Sequence, residues 1–201
     1  AAVVLQMKQL GLGDPERFPF MEPPDPRAVS DGRRLLEELT ALAPDGSLTD
    51  TGRRMARLPV DPRLARMLLA AHRHGSLAEA LTIVAALAIQ DPRERPADKR
   101  QAADEAHAAF ADERSDFLAY VNLWRWFQEQ REALGSSALR RTVQRRFLSW
   151  MRLREWQALH RQLRLACRDE GLTENAAPAD YAGVHRALLA GLLSLVGVQT
   201  D

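Results

Sequence analysis

The sequence predicts a mainly all-α protein: a small winged-helix-like module followed by a helical bundle. Three observations carry this. Five of the 11 prolines lie between Pro15 and Pro26, none lies between Pro96 and Pro178, and no glycine occurs from Ser76 to Leu134. The first quarter is therefore broken by turns and the rest is free to run as long helices. Apolar residues recur at helical spacing in almost every segment. The one tight turn between apolar runs, Ala43-Pro44-Asp45-Gly46-Ser47-Leu48, has Asp-Gly at its tip, a hairpin signal. With 201 residues and 46% hydrophobic content, the chain can bury a core as one domain, or one plus a small appendage.

Residues 4–10 end a first helix at Gly11, and no cap precedes Ala1, so the chain reads as a piece cut from a longer protein. Phe18 to Pro26 is an extended, semi-rigid connector. Ala28 to Leu42 places Val29, Leu35, Leu36 and Leu39 near helical spacing, with Gly32 as a weak point. After the hairpin, Thr49-Asp50-Thr51 can cap a short helix carrying Met55 and Leu58. Asp61-Pro62 opens the next helix, which Gly75 ends. Ser76-Leu77-Ala78-Glu79 has the spacing of a capping box. The helix after it, Leu77 to Ile89, is apolar almost all round and should be central in a bundle. Four further helices are expected at 98–111, 115–133, 137–169 and about 179–197. The apolar face of the third drifts near Trp150–Arg152, where a break or kink is expected.

Charge excludes some functions and localises others. Lys plus Arg is 28 and Asp plus Glu is 27, a net charge of +1, so no whole-protein field draws the chain onto nucleic acid or membrane. Locally the balance is lopsided. Residues 136–168 hold nine arginines and one acid, Glu155, while 98–116 are acidic. Such a basic stretch suits either a solvated face answering an acidic one or a track for phosphates. A single cysteine, Cys167, excludes a disulfide framework and fits a reducing, cytoplasmic compartment. The longest apolar stretch, Ala187 to Val198, contains Gly and Ser and falls short of the ~18 residues a membrane helix needs.

Several patterns are decoys. Asp104-Glu105-Ala106-His107 spells a nucleotide-hydrolysis box, but polar, helical residues precede it rather than a buried strand, and no Gly-x-x-x-x-Gly-Lys-Ser/Thr phosphate loop occurs. His72 and His74 stand two apart on a helix and point in different directions, which argues for surface histidines over a metal site. No Gly-x-Ser-x-Gly supports nucleophilic catalysis. Of Trp124, Trp126, Trp150 and Trp156, most should be core, with Trp126 and Trp156 candidates for a half-exposed stacking role.

Val3-Val4-Leu5-Gln6-Met7-Lys8, Pro23-Pro24-Asp25-Pro26, Leu35-Leu36-Glu37-Glu38-Leu39, Leu48-Thr49-Asp50-Thr51-Gly52, Leu58-Pro59-Val60-Asp61-Pro62-Arg63-Leu64 and Gln90-Asp91-Pro92-Arg93 resemble, in order, the region that follows the two motor domains of DEAH-box RNA helicases. Ser115-Asp116-Phe117-Leu118 and Phe147-Leu148-Ser149-Trp150-Met151-Arg152-Leu153-Arg154-Glu155-Trp156-Gln157 are similar to the bacterial HrpA-type branch. The resemblance implies a degenerate winged helix at residues 1–60 and a helical-bundle, or ratchet, domain at 61–201. It implies a non-catalytic accessory segment of an ATP-dependent helicase moving 3′ to 5′, forming one wall of the single-stranded RNA channel and coupling motor movement to translocation. ATP and Mg²⁺ would belong to the motor domains, with no cofactor in this segment. Its implied partners are single-stranded RNA, the RecA-like motor domains and an OB-fold domain of the same parent. The resemblance marks Ser149, Arg152, Arg154 and Gln157 as RNA-facing; charge alone adds Arg145 and Arg146. Arg53 and Arg54, in the winged-helix part, should be structural. Two other classes compete. A winged-helix DNA-binding regulator would need a basic recognition helix, yet residues 28–42 pair Arg33 and Arg34 with Asp31, Glu37 and Glu38. A helical protein–protein module would show no salt-sensitive RNA binding.

Overall fold

A computed structural model describes residues 1–197. Among them stand ten α-helices: α1 (Ala2–Gln9), α2 (Pro26–Glu38), α3 (Asp50–Ala56), α4 (Pro62–Arg73), α5 (Leu77–Leu87), α6 (Arg100–Ala108), α7 (Asp116–Ala133), α8 (Ser136–Arg145), α9 (Trp150–Asp169) and α10 (Tyr181–Leu189). Among the described residues β pairing is limited to two isolated bridges, Leu42–Leu48 and Arg93–Leu148. No helix among them is long and apolar enough to cross a membrane. The fold class is thus all-helical, as expected. The chain forms two compact units. One is Ala1–Ala80 together with the chain from Leu165 on; the other is Leu81–Arg164, so the division cuts through α5 and α9.

In the first unit, side-chain caps set where helices begin. Asp25 accepts from the Arg27 N–H and Asp61 from the Arg63 N–H, each with a proline following, where the missing donor costs nothing. Thr49 caps α3 through the Gly52 N–H. The hairpin is reduced to one turn: Ala43 N–H donates to Ser47 C=O, Gly46 takes φ +76°, and the ladder stops at the Leu42–Leu48 bridge. Gly52 is required by close approach, since a Cβ there would lie 2.1 Å from the Ala41 carbonyl oxygen. α4 packs on α3 and α10, with Ala65, Met67, Leu68, Leu69 and Ala71 buried.

Three expectations change or resolve in this unit. The capping box at Ser76 does not close, because the Ser76 N–H already donates to Ala71 C=O. Glu79 instead accepts from Ala179 N–H (3.0 Å) and Asn175 Nδ2 (2.9 Å), and the Ala78 N–H donates to Asn175 Oδ1 (2.9 Å). A loop nearly a hundred residues away therefore dresses the start of α5. The helix expected to reach about 197 ends at Leu189, and a short 3-10 turn (Leu193–Leu195) follows. Gly191 sits where a Cβ would come within 2.4 Å of the Arg63 carbonyl oxygen, so the chain passes α4 too closely for a regular helical turn of larger residues. Arg53 and Arg54 serve the fold: Arg53 Nη1 donates to Leu48 C=O (2.8 Å) and Arg54 Nη2 to Glu170 C=O (3.1 Å).

In the second unit, Leu81, Ile83, Val84 and Ala85 of α5 are buried outright, and Leu123 and Phe127 of α7 and Leu153 and Trp156 of α9 share that core. The long basic helix is broken, slightly earlier than the drift in its apolar face suggests: residues 146–149 separate α8 from α9. Phe147 there takes φ +52°, an unusual value for a bulky residue.

Candidate nucleic-acid interface

The break between α8 and α9 is held by a second segment, residues 91–94. Glu94 N–H donates to Phe147 C=O and Ser149 N–H to Pro92 C=O, both at 2.8 Å, flanking the Arg93–Leu148 bridge. Asp91 organises this segment. Its carboxylate takes the Arg93 guanidinium (Nη2 to Oδ2 2.7 Å, Nε to Oδ1 3.0 Å), the Arg93 N–H (2.9 Å) and the Tyr120 hydroxyl (3.3 Å). The Arg93 guanidinium also lies 4.8 Å from the Tyr120 ring centroid. Burial alone would raise the Asp91 pKa, but the hydrogen bonds and charge of Arg93 outweigh it and hold the carboxyl below its usual range. The same pairing raises Arg93. His107, buried on α6, meets the break from another side, with Nε2 3.1 Å from Phe147 O and Nδ1 without a partner. Its pKa is lowered chiefly by burial, helped by Arg95 and Arg93 and opposed by the Phe147 carbonyl. The Asp104–His107 tetrapeptide thus lies on a helix, with Asp104 exposed and paired with Arg95 (2.6 Å) and His107 turned inward as a structural group.

Below the break, α7 and α9 flank a groove of about 490 Å³. Trp124, Gln128 and Arg131 line it from α7, spaced four and three residues apart on one helical face; Arg154, Gln157, Ala158, His160, Arg161 and Arg164 line it from α9. Four guanidiniums and two carboxamides face this space and no carboxylate does. Its aromatic side is built on Trp124, which packs against Trp156 (centroids 5.0 Å) and His160 (4.6 Å). Arg154 also lies over the Trp150 ring, 5.9 Å from its centroid. Several cationic and amide donors along one groove, with no carboxylate in its lining, suit an anionic, multi-point ligand.

The predicted site residues separate in this geometry. Arg154 and Gln157 are in the groove. Arg145 and Arg146 are exposed at the end of α8 and its cap, outside the groove lining. Ser149 is half-buried in the break, its N–H bonded to Pro92. Arg152 is half-buried, with Nη1 donating to Asp91 C=O at 3.0 Å, which ties the first turn of α9 to the 91–94 segment. Trp156, one of two candidates for a half-exposed stacking role, is fully buried: its Nε1–H donates to Thr82 C=O at 3.0 Å, so the indole belongs to the core with α5. Trp124 is the tryptophan that lines the groove. Sequence reasoning misses Trp124, Gln128, Arg131 and His160, and counts Arg161 and Arg164 in the basic stretch without singling them out. A signal for Gln128 and Arg131 exists in their spacing from Trp124, four and three residues apart, which puts two hydrogen-bonding side chains on one helical face with an indole. Among the described residues no group of His, Cys, Asp and Glu could hold a metal ion.

Known proteins resemble the chain throughout. Residues 33–60 match a family model described as "Helicase associated domain (HA2), winged-helix", and residues 61–120 match one described as "Helicase associated domain (HA2), ratchet-like". The chain is 52% identical over 204 residues to the ATP-dependent RNA helicase HrpA of Escherichia coli (strain K12), and 50% over 206 residues to its homolog in Haemophilus influenzae; each match covers 99% of this chain. It is 36% identical over 183 residues, 89% of its length, to the probable ATP-dependent RNA helicase DHX34 of Mus musculus. It spans 16% of the length of each of these relatives.

Proposed function

Because the chain belongs to the helicase-associated (HA2) family, as a winged-helix and ratchet-like segment of the HrpA type, we propose that it works as the non-catalytic accessory part of an ATP-dependent RNA helicase. In this reading residues 1–60 act as the winged-helix hub and residues 61–201 as the ratchet domain. The α7–α9 groove is one wall of a channel for single-stranded RNA. The setting is cytoplasmic, the partners are the RecA-like motor domains and an OB-fold domain of the same parent, and ATP with Mg²⁺ is handled by the motors. The observation that carries it is the groove lining of four arginines and two glutamines with no acid. Arg131, Arg154, Arg161 and Arg164 neutralise phosphates, Gln157 adds a neutral donor, and Trp124 offers an aromatic surface to a base. Arg145 and Arg146 extend the cationic track beyond the groove. Arg152 and Ser149 hold the start of α9 so that Arg154 and Gln157 face inward. Movement of the motors is transmitted as a small rotation at the α8–α9 break, stepping the strand 3′ to 5′.

Fluorescence anisotropy with single-stranded RNA tests this. Arg154→Glu/Arg161→Glu should weaken binding at least tenfold and flatten its salt dependence by roughly one log–log unit for each phosphate no longer neutralised. A charge-matched Arg17→Glu/Arg73→Glu control should change it little. Equal loss in both would mean that only net charge matters and no groove is involved.

A further inference from the structure

We propose that Gln128 makes this groove selective for ribose over deoxyribose, by hydrogen-bonding a 2′-hydroxyl of the bound strand. The inference rests on the phosphate-binding reading of the groove. Gln128 lines the groove from α7, yet its Nε2 is buried with no hydrogen-bond partner. A buried amide nitrogen is rarely left unmatched in a native protein, and where it is, a ligand group is a physical reason. Its surroundings narrow the ligand. Arg131 stands three residues on, on the same face of α7, about 5–6 Å away at the level of Cβ atoms. Arg154, Gln157, Arg161 and Arg164 line the opposite wall. A strand whose phosphates meet these guanidiniums presents, one sugar away, a group of hydroxyl size. The 2′-hydroxyl both donates and accepts, as a carboxamide does, so the two pair without any change of charge. Deoxyribose puts a C–H at that point and leaves the amide as it stands in the free protein. Trp124 and His160 can take bases by stacking, which does not distinguish the sugars.

The test uses the full chain and two probes of equal length, oligouridylate and oligodeoxyuridylate, which share their base and phosphates. Wild type should bind the ribose form roughly threefold or more tightly, the size of one net hydrogen bond. Gln128→Leu, which keeps the side-chain bulk, should weaken the ribose form to the level of the deoxyribose form and leave the latter unchanged. Arg161→Glu should weaken both and keep their ratio. Equal wild-type affinity for the two probes overturns the proposal. So does a ratio that survives in Gln128→Leu, or an equal loss on both probes in that variant, which would mark Gln128 as structural. If Arg161→Glu alters neither probe's binding, or wild type binds neither probe, the underlying phosphate reading falls as well.

Discussion

Trp156 and Cys167 show how the strongest packing residues on α9 differ from those its charges advertise. Trp156 is fully buried and its only polar side-chain atom is hydrogen-bonded to Thr82 C=O. Replacing it with alanine should cost about 3–5 kcal/mol by urea unfolding, from the apolar area removed plus the cavity left behind. Trp156→Phe should cost less, since a ring remains and only the N–H and part of the bulk are removed. Cys167 is buried, and desolvation, aided by Glu174 and Glu170, pushes its thiol up to about 12. A thiol so rarely ionised is a poor nucleophile. The native chain should show no reaction with a thiol-selective disulfide reagent at pH 8, and one full equivalent once unfolded; a fast native reaction would contradict the burial. Gly52→Ala should be strongly destabilising, because the added carbon meets the Ala41 backbone rather than a side chain that can swing away.

The α8–α9 break is the element most open to a pH measurement. Its Asp91 carboxylate is held below its ordinary 3.8, so its contribution to stability is in place above that pH and is lost as pH falls through the depressed folded value. His107 has a folded pKa below its ordinary 6.5. The unfolded chain therefore takes up a proton first on acidification. The stability that neutral His107 supports is present above pH 6.5 and is lost as pH falls through the lowered value. Urea midpoints should thus decline from pH 7 toward 5 in wild type. His107→Gln should flatten that decline while leaving the acid loss due to Asp91. This element is partly legible in the sequence. The drift of the apolar face marks a break within a few residues, because loss of helical phase is a local signal. The bonds that lock it, from Asp91 through Glu94, come from some fifty to sixty residues away, and no local pattern encodes them. The helix caps at Asp25, Thr49 and Asp61 are each a bond over two or three residues, which is why local sequence reveals such starts. The box at Ser76 fails because a distant asparagine and a backbone carbonyl have already engaged its groups.

For the whole molecule, all-helical architecture follows from proline and glycine placement, and the family from motif order along the chain. The groove does not, since it pairs α7 with α9 and needs both faces at once. Charge counting finds the α9 arginines and overlooks the α7 wall, whose single arginine is hidden by an even local balance. The loop at 175–179, clasping the start of α5, has a further consequence for how the chain is made. The first unit needs both ends of the sequence, whereas the second, Leu81–Arg164, is continuous. During synthesis from the N-terminus, the continuous unit leaves the ribosome complete, while residues 76–79 still wait for Asn175 and Ala179 to be translated. Vectorial folding should therefore finish from the inside out. Pulse-labelled amides of the 81–164 stretch should gain exchange protection before those of residues 61–80, although the latter are made first.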